Sequence, residues 1–331
     1  MTLRILADTT GEMSHCGAWI IGLIAVWLTM TSAPAYGKSG AEPFVVDLLM
    51  GEPIPMDVLL DDLAQVQVVY IGEIHTIARH HDFQEALLRG LTERGVKVAL
   101  GMEIFTEEHQ PLLDQWQRGS LPLESLKGPL GEDYWTNQKD YEPLLLTARK
   151  LGVPIFGLNA PTNLVRKVAR DGLDGLTAEE KAALPQGLDR VDPLNDRLLR
   201  MRLRVHKAFQ DKSLDRIVQA QVLRDETMAR AVARFLGSPG GKNHVVLVVA
   251  GNGHVNYGFG IPEGVRRRLD VPFRVIISAE SGELVLSDTE KRQAVPVHVT
   301  HEDLKFIRVP IGDYLQVIPL KEQGDSIALY P

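Results

Sequence analysis

Four short aliphatic runs, each stopping at a glycine and then a polar side chain, constrain this chain more than any other feature. The first is Val68-Val69-Tyr70-Ile71, followed by Gly72-Glu73-Ile74-His75. Lys97-Val98-Ala99-Leu100 runs into Gly101-Met102-Glu103-Ile104-Phe105, so that Glu103 is expected just past a strand. Val153-Pro154-Ile155-Phe156 ends in Gly157-Leu158-Asn159-Ala160-Pro161, and His244-Val245-Val246-Leu247-Val248-Val249 ends in Ala250-Gly251-Asn252-Gly253-His254. Runs without polar alternation suit parallel strands covered by helices on both faces. Helical spacing follows the first of them, at Phe83, Ala86, Leu87, Gly90 and Leu91, and strand, turn and helix in that order make half of a βαβ unit.

The same spacing predicts helices over 107–118, 141–151 and 162–170, the last opened by Pro161, whose missing N–H has no helical partner there anyway. From 171 to 240 the pattern is all helical, with a capping box at Thr177-Ala178-Glu179-Glu180, a basic helix over 195–210 and a longer one over 213–236. A fifth strand is expected at 273–278, with Glu280 beyond it, and shorter strands at 294–299, 306–309 and 314–318. Residues 36–66 read as a leader with a short amphipathic segment at 56–63. The fold class is therefore α/β: a mainly parallel sheet with helices on both faces, a helical insertion at about 171–240, and extra strands at the C-terminus.

A chain of 331 residues with 44% hydrophobic and 24% charged residues has enough apolar surface for one large domain or two small ones. Its net charge of −7, with no long basic run, argues against nucleic acid as a partner. Residues 17–30 are nearly all apolar, and Ser32-Ala33-Pro34-Ala35 supplies a small-residue cleavage site. Roughly 14 apolar residues are short for a membrane span. Residues 1–35 are thus expected to be a signal peptide, with an uncleaved anchor as the alternative and Met13 as an alternative start, and 36–331 the exported α/β domain. Export would place it in the periplasm or at the cell envelope. Cys16, the one cysteine, precedes the apolar run and cannot be a lipidated first residue after cleavage. The exported part then has no disulfide, no thiolate chemistry and no covalent c-type haem attachment.

Right-handed crossovers bring all strand carboxyl ends to one edge of a parallel sheet, which is where ligands collect. Glu73, His75, Glu103, Asn159 and His254 should therefore meet. Such a set can hold a divalent metal, act as general acid and base, or form a satisfied polar network. On the helix after the first strand, His80 falls near the buried stripe and His81 is expected to point to solvent. Gln221 and Arg224 interrupt the stripe of the long helix, and a wet edge accounts for them better than a ligand does. No phosphate-binding loop is present: Gly251-Asn252-Gly253-His254 lacks the spaced Lys-Ser/Thr pair.

Gly72-Glu73-Ile74-His75, Gly101-Met102-Glu103-Ile104-Phe105, Tyr141-Glu142-Pro143-Leu144-Leu145, Leu158-Asn159-Ala160-Pro161 and Ala250-Gly251-Asn252-Gly253-His254-Val255, in this order, resemble the ChaN family of haem-binding uptake proteins over about residues 45–270. The wider group includes Tiki/TraB-type metalloproteases and erythromycin esterases. The resemblance implies an exported protein that binds haem b without covalent attachment, possible envelope transport partners, and a homodimer holding two haems face to face. It also implies iron held by a tyrosine oxygen, with Tyr141 the first candidate and Tyr134 and Tyr257 behind it. His75, His80, Glu103, Asn159, His254 and Met228 would lie around the cofactor. Met201 and Phe209 could add apolar contacts, and Arg202, Arg204 or Lys207 could meet the propionates, although a solvated basic helix face also accounts for those cations. The alternative is a hydrolase with His75 or His254 as base and Glu73 or Glu103 as its partner or as ligand to a divalent metal.

Overall fold

The computed structural model describes residues 43–75, 77–126, 138–203, 212–281 and 300–319. Its eight strands are β1 (Phe44–Asp47), β2 (Glu52–Ile54), β3 (Val68–Glu73), β4 (Val98–Thr106), β5 (Ile155–Asn159), β6 (Val245–Gly251), β7 (Phe273–Ser281) and β8 (Tyr314–Pro319). They form one sheet in the order β2-β1-β8-β7-β3-β6-β4-β5. Every pairing from β8 to β5 is parallel, and only β1 pairs antiparallel, with β2 and β8. The α/β sheet read from the sequence is thus present.

Successive strand residues point to opposite faces, so an unbroken apolar strand serves two cores at once. Val69, Ile71, Leu100, Met102, Leu247 and Val249 face one side. There they pack against α1 (Met56–Leu63), α2 (Ala78–Glu93), α3 (Gln110–Gln117) and α4 (Glu142–Lys150), through Leu63, Leu87, Leu91, Leu113, Trp116 and Leu145. Val68, Tyr70, Ala99, Val246, Val248 and Ala250 face the other side, against α8 (Lys212–Gly237) and α9 (Ile261–Arg266) through Met228, Val232, Ile261 and Val265. Each such side chain contributes roughly 1.5–3 kcal/mol by leaving water, which is why two-sided strands hold the sheet in one register. α5 (Thr162–Asp171), the helix expected after β5, packs on α8, and α6 (Ala178–Ala183), α7 (Pro193–Leu203) and α8 itself make up the helical insertion expected from the sequence. The short α10 (His301–Leu304) precedes β8.

Three expectations change. Residues 44–54 are not a leader but the hairpin of β1 and β2, whose turn is held by the Asp47 carboxylate accepting from the N–H groups of Leu49 (2.8 Å) and Met50 (3.0 Å). The strand expected at 306–309 is a turn: Ile307 N–H donates to the Leu304 carbonyl (2.9 Å), and the Phe306 ring lies under the Arg197 guanidinium at 4.0 Å. β4 runs on to Thr106, so Glu103 lies within it. The expected strand at 294–299 and the segment 1–35 lie outside the described residues. Among the described residues no helix is long and apolar enough to cross a membrane.

Candidate functional site

The carboxyl ends of β3, β6, β4 and β5 lie side by side. Glu73 ends β3 opposite Gly251, which ends β6. Glu103 sits where the β4–β5 ladder slips, the step from Met102 to Thr106 on β4 facing only Gly157 to Asn159 on β5. Such a bulge re-aims a side chain. It also brings β5 very close: a Cβ on Gly157 would stand 2.2 Å from the Thr106 carbonyl oxygen. The 3-10 turn Asn252–His254 then returns His254 over this edge.

The side chains form a single file of alternating carboxylates and imidazoles. His75 Nδ1 lies 2.7 Å from Glu73 Oε1, and His75 Nε2 lies 3.9 Å from Glu103 Oε2. His254 Nε2 is 3.3 Å from Glu103 Oε1, and its Nδ1 is hydrogen-bonded to Asp225 of α8. Glu73, Glu103, His254 and Asp225 are all buried, whereas His75 keeps 16% of its side chain exposed. Gly251 allows this approach, since a Cβ there would stand 2.8 Å from His75 Nε2.

Each end of the file is braced. Glu73 accepts from the Gln84 amide and from the Tyr141 hydroxyl, which also lies 3.4 Å from His75 Nδ1. The Tyr141 ring stacks on His81 at 3.9 Å between centroids. At the other end Glu103 accepts from the Gly251 N–H (2.7 Å) and from Arg224, whose Nε donates to Asn159 Oδ1 (3.2 Å). Asn159 in turn donates to the Glu103 carbonyl (3.2 Å), and the Gln221 amide sits 3.0 Å from His254 Nδ1.

Burial by itself would raise both glutamates, but their partners overcome it. Hydrogen bonding and charge from His75 hold Glu73 below the usual carboxylate value. The charges of His254 and Arg224 hold Glu103 well below it. Burial disfavours a charged His254, yet Glu103 and Asp225 on either side push it up to about 9. Burial lowers His81, against the pull of Glu73. At neutral pH the file therefore holds a protonated His254 between Glu103 and Asp225 at its inner end, with the partly exposed His75 ring at its mouth.

Glu73, His75, Glu103, Asn159, His254 and Tyr141 thus meet at one edge. His80 does lie inward, but its Nδ1 accepts the Ile74 N–H (2.9 Å) and so shapes the turn after β3. His81 is corrected: it is buried, with Nε2 3.5 Å from Glu73 Oε2, because α2 is covered by α4 as well as by the sheet. Gln221 and Arg224 are corrected too, since both face the file. Met228 is 0% exposed within the core under the sheet and cannot touch a ligand at this edge. Tyr257 stands beyond His254, part-exposed and in the left-handed region at φ 63°, the one non-glycine residue among those described with positive φ. Tyr134, Arg204, Lys207 and Phe209 lie outside the described residues. Sequence reasoning missed Asp225 and Gln84. Gln221, Arg224 and Asp225 stand at i, i+3 and i+4, one face of α8, and that spacing was the available signal. Among the described residues no group of three or more His, Cys, Asp or Glu is arranged to hold a metal ion.

The carboxylate–imidazole file thus lies at the carboxyl edge of a largely parallel sheet. Residues 59–265 match the family described as "Haem-binding uptake, Tiki superfamily, ChaN", and the chain belongs to that family. It resembles the solved structure of ChaN from Campylobacter jejuni, described as binding heme cofacially, with a TM-score of 0.59 at 16% identity over 83% of this chain and 96% of that one. It is 25% identical over 250 residues to Arabidopsis thaliana Protein RETICULATA-RELATED 5, chloroplastic, covering 69% of this chain and 34% of that protein, so it spans about a third of that relative's length. An erythromycin esterase mutant in its open conformation aligns over 68% of this chain and 73% of its own, at 16% identity and a TM-score of 0.42.

Proposed function

We propose that this protein binds haem b non-covalently at the carboxyl edge of its sheet and serves haem uptake or handling in the cell envelope, after export directed by residues 1–35. The observation that carries the reading is the meeting, within the family-matched region, of the Tyr141 hydroxyl and the His75 imidazole, 3.4 Å apart, at the carboxyl edge of the sheet. The donors fit the group: the Tyr141 phenol and the adjacent His75 imidazole are both chemically suited to iron. Bound haem would supply a ferric iron that takes an axial tyrosine oxygen. Tyr141 OH is held by Glu73 and its ring is closely stacked and buried, whereas Tyr257 is part-exposed. A face-to-face homodimer, and envelope partners that deliver or collect haem, belong to the same reading.

The test is a hemin titration of the purified full chain followed in the Soret band, repeated with Tyr141→Phe and Tyr257→Phe. A saturable spectrum that changes on removing one of these phenols supports the reading. No saturable change in the unmodified protein overturns it.

One observation favours a second reading, hydrolysis. His75 is oriented by Glu73, faces Glu103, and is the exposed member of the file, as a general base acting on water should be. It would take a proton from water attacking an ester or amide carbonyl. Absence of turnover on a panel of activated esters and peptides, at levels above a His75→Ala control, removes this reading.

A further inference from the structure

The cations around His254 differ in how they are satisfied. Arg224 is spent on Glu103, and the His254 imidazolium on Glu103 and Asp225. The two buried carboxylates at the inner end therefore already face two positive charges. Arg202, on the last turn of α7, adds a third. Its Nη2 donates to Asn256 Oδ1 at 2.7 Å once the Asn256 amide is set with its nitrogen donating to the Asn252 carbonyl at 2.8 Å. Its Nη1 stands 4.0 Å from where a Cβ on Gly253 would be, so the guanidinium lies over the loop that carries His254. Among the described residues no carboxylate forms an ion pair with it. The other arginines of α7 face elsewhere: Arg200 is held by Asp196 (2.8 Å) and Asp215 (2.6 Å), and Arg197 covers Phe306. Burial holds Arg202 below its ordinary value despite the pull of Tyr257 and Asp225. A largely desolvated guanidinium that is hydrogen-bonded to a neutral amide, and ion-paired with no carboxylate among the described residues, is a good receptor for an anion.

We infer that Arg202, with Asn256 beside it, receives a carboxylate of the bound ligand, which on the haem reading above, on which this rests, is a porphyrin propionate. The Arg202 guanidinium lies near the part-exposed Tyr257, and its planar fork matches a carboxylate with two parallel hydrogen bonds.

The test compares hemin with its dimethyl ester, which keeps the iron and ring but has no carboxylate. The full-length protein should bind hemin about tenfold more tightly than the ester. Arg202→Gln should lose that preference by weakening hemin while leaving the ester unchanged, and Arg202→Lys should keep part of it through its point charge. Equal affinity of the unmodified protein for the two ligands overturns the inference while sparing the haem reading, as does a preference that persists in Arg202→Gln. Failure of both ligands to bind overturns both. Should Arg202→Gln not fold, the comparison in the unmodified protein and in Arg202→Lys still decides.

Discussion

Replacing Glu103 by glutamine tests the electrostatic account of the file directly. The carboxylate is fully buried, accepts from the Gly251 N–H, and lies between the Arg224 guanidinium and the His254 ring. Glutamine keeps the volume but turns an amide toward two cations, and breaking a buried pair from one side costs about 3–5 kcal/mol. His254 sets an upper bound on its own share: its rise from 6.5 to about 9, produced by Glu103 and Asp225 together, corresponds to roughly 3 kcal/mol, at about 1.36 kcal/mol per pH unit. Because its folded value is the higher one, this stabilisation is complete below about pH 6.5 and fades as pH climbs through about 9. Glu103→Gln should accordingly cost about 3 kcal/mol at pH 6, seen as a urea midpoint lowered by about 1 M if the slope is roughly 3 kcal/mol per M. At pH 10, where His254 is neutral in both proteins, the cost should shrink while the part due to Arg224 persists. Circular dichroism melts in urea at the two pH values measure both. A loss under about 1 kcal/mol at pH 6, or the same loss at both pH values, refutes the reasoning.

Two further substitutions probe the backbone. Gly157→Ala should destabilise the protein by more than about 2 kcal/mol or shift the end of β5, because the new methyl would overlap the Thr106 carbonyl; thermal denaturation against Gly240→Ala, which meets nothing within 4 Å, checks it. Tyr257→Asn relieves a left-handed tyrosine, so its stability should change by less than about 1 kcal/mol, whereas Tyr141→Ala empties a packed site and should cost roughly 3–5 kcal/mol in the same urea assay.

The sheet was legible because its strands carry their own signature: an apolar run with no alternation has one good solution, and β3, β5 and β6 ended close to a glycine and a polar residue, while β4 ran past its own to Thr106. Convergence of Glu73, His75, Glu103, Asn159 and His254 then followed from the handedness of crossovers. The helices were less legible, since a helical stripe reports one buried face and α2 has two. His81 looked solvated on the wheel, yet α4 covers it and stacks Tyr141 on its ring. The same limit hid Asp225: a charge beside Arg224 on an amphipathic helix looks like the edge of a stripe until a loop from another strand brings His254 down onto it. The β1–β2 hairpin escaped because four and three residues are too few to show a period, and Asp47 closes its turn by a side-chain contact.

That hairpin limits how copies of the chain could associate. β2 is the outermost strand on its side, three residues long, solvent-facing, with Glu52 at its start and Pro53 at its centre. A proline offers no amide hydrogen to a newcomer, and a short acidic border gives little length to align against. Growth of the sheet by edge-to-edge addition is discouraged there, so self-association would have to draw on other surfaces, and the edge that carries the carboxylate–imidazole file is left unhindered by it.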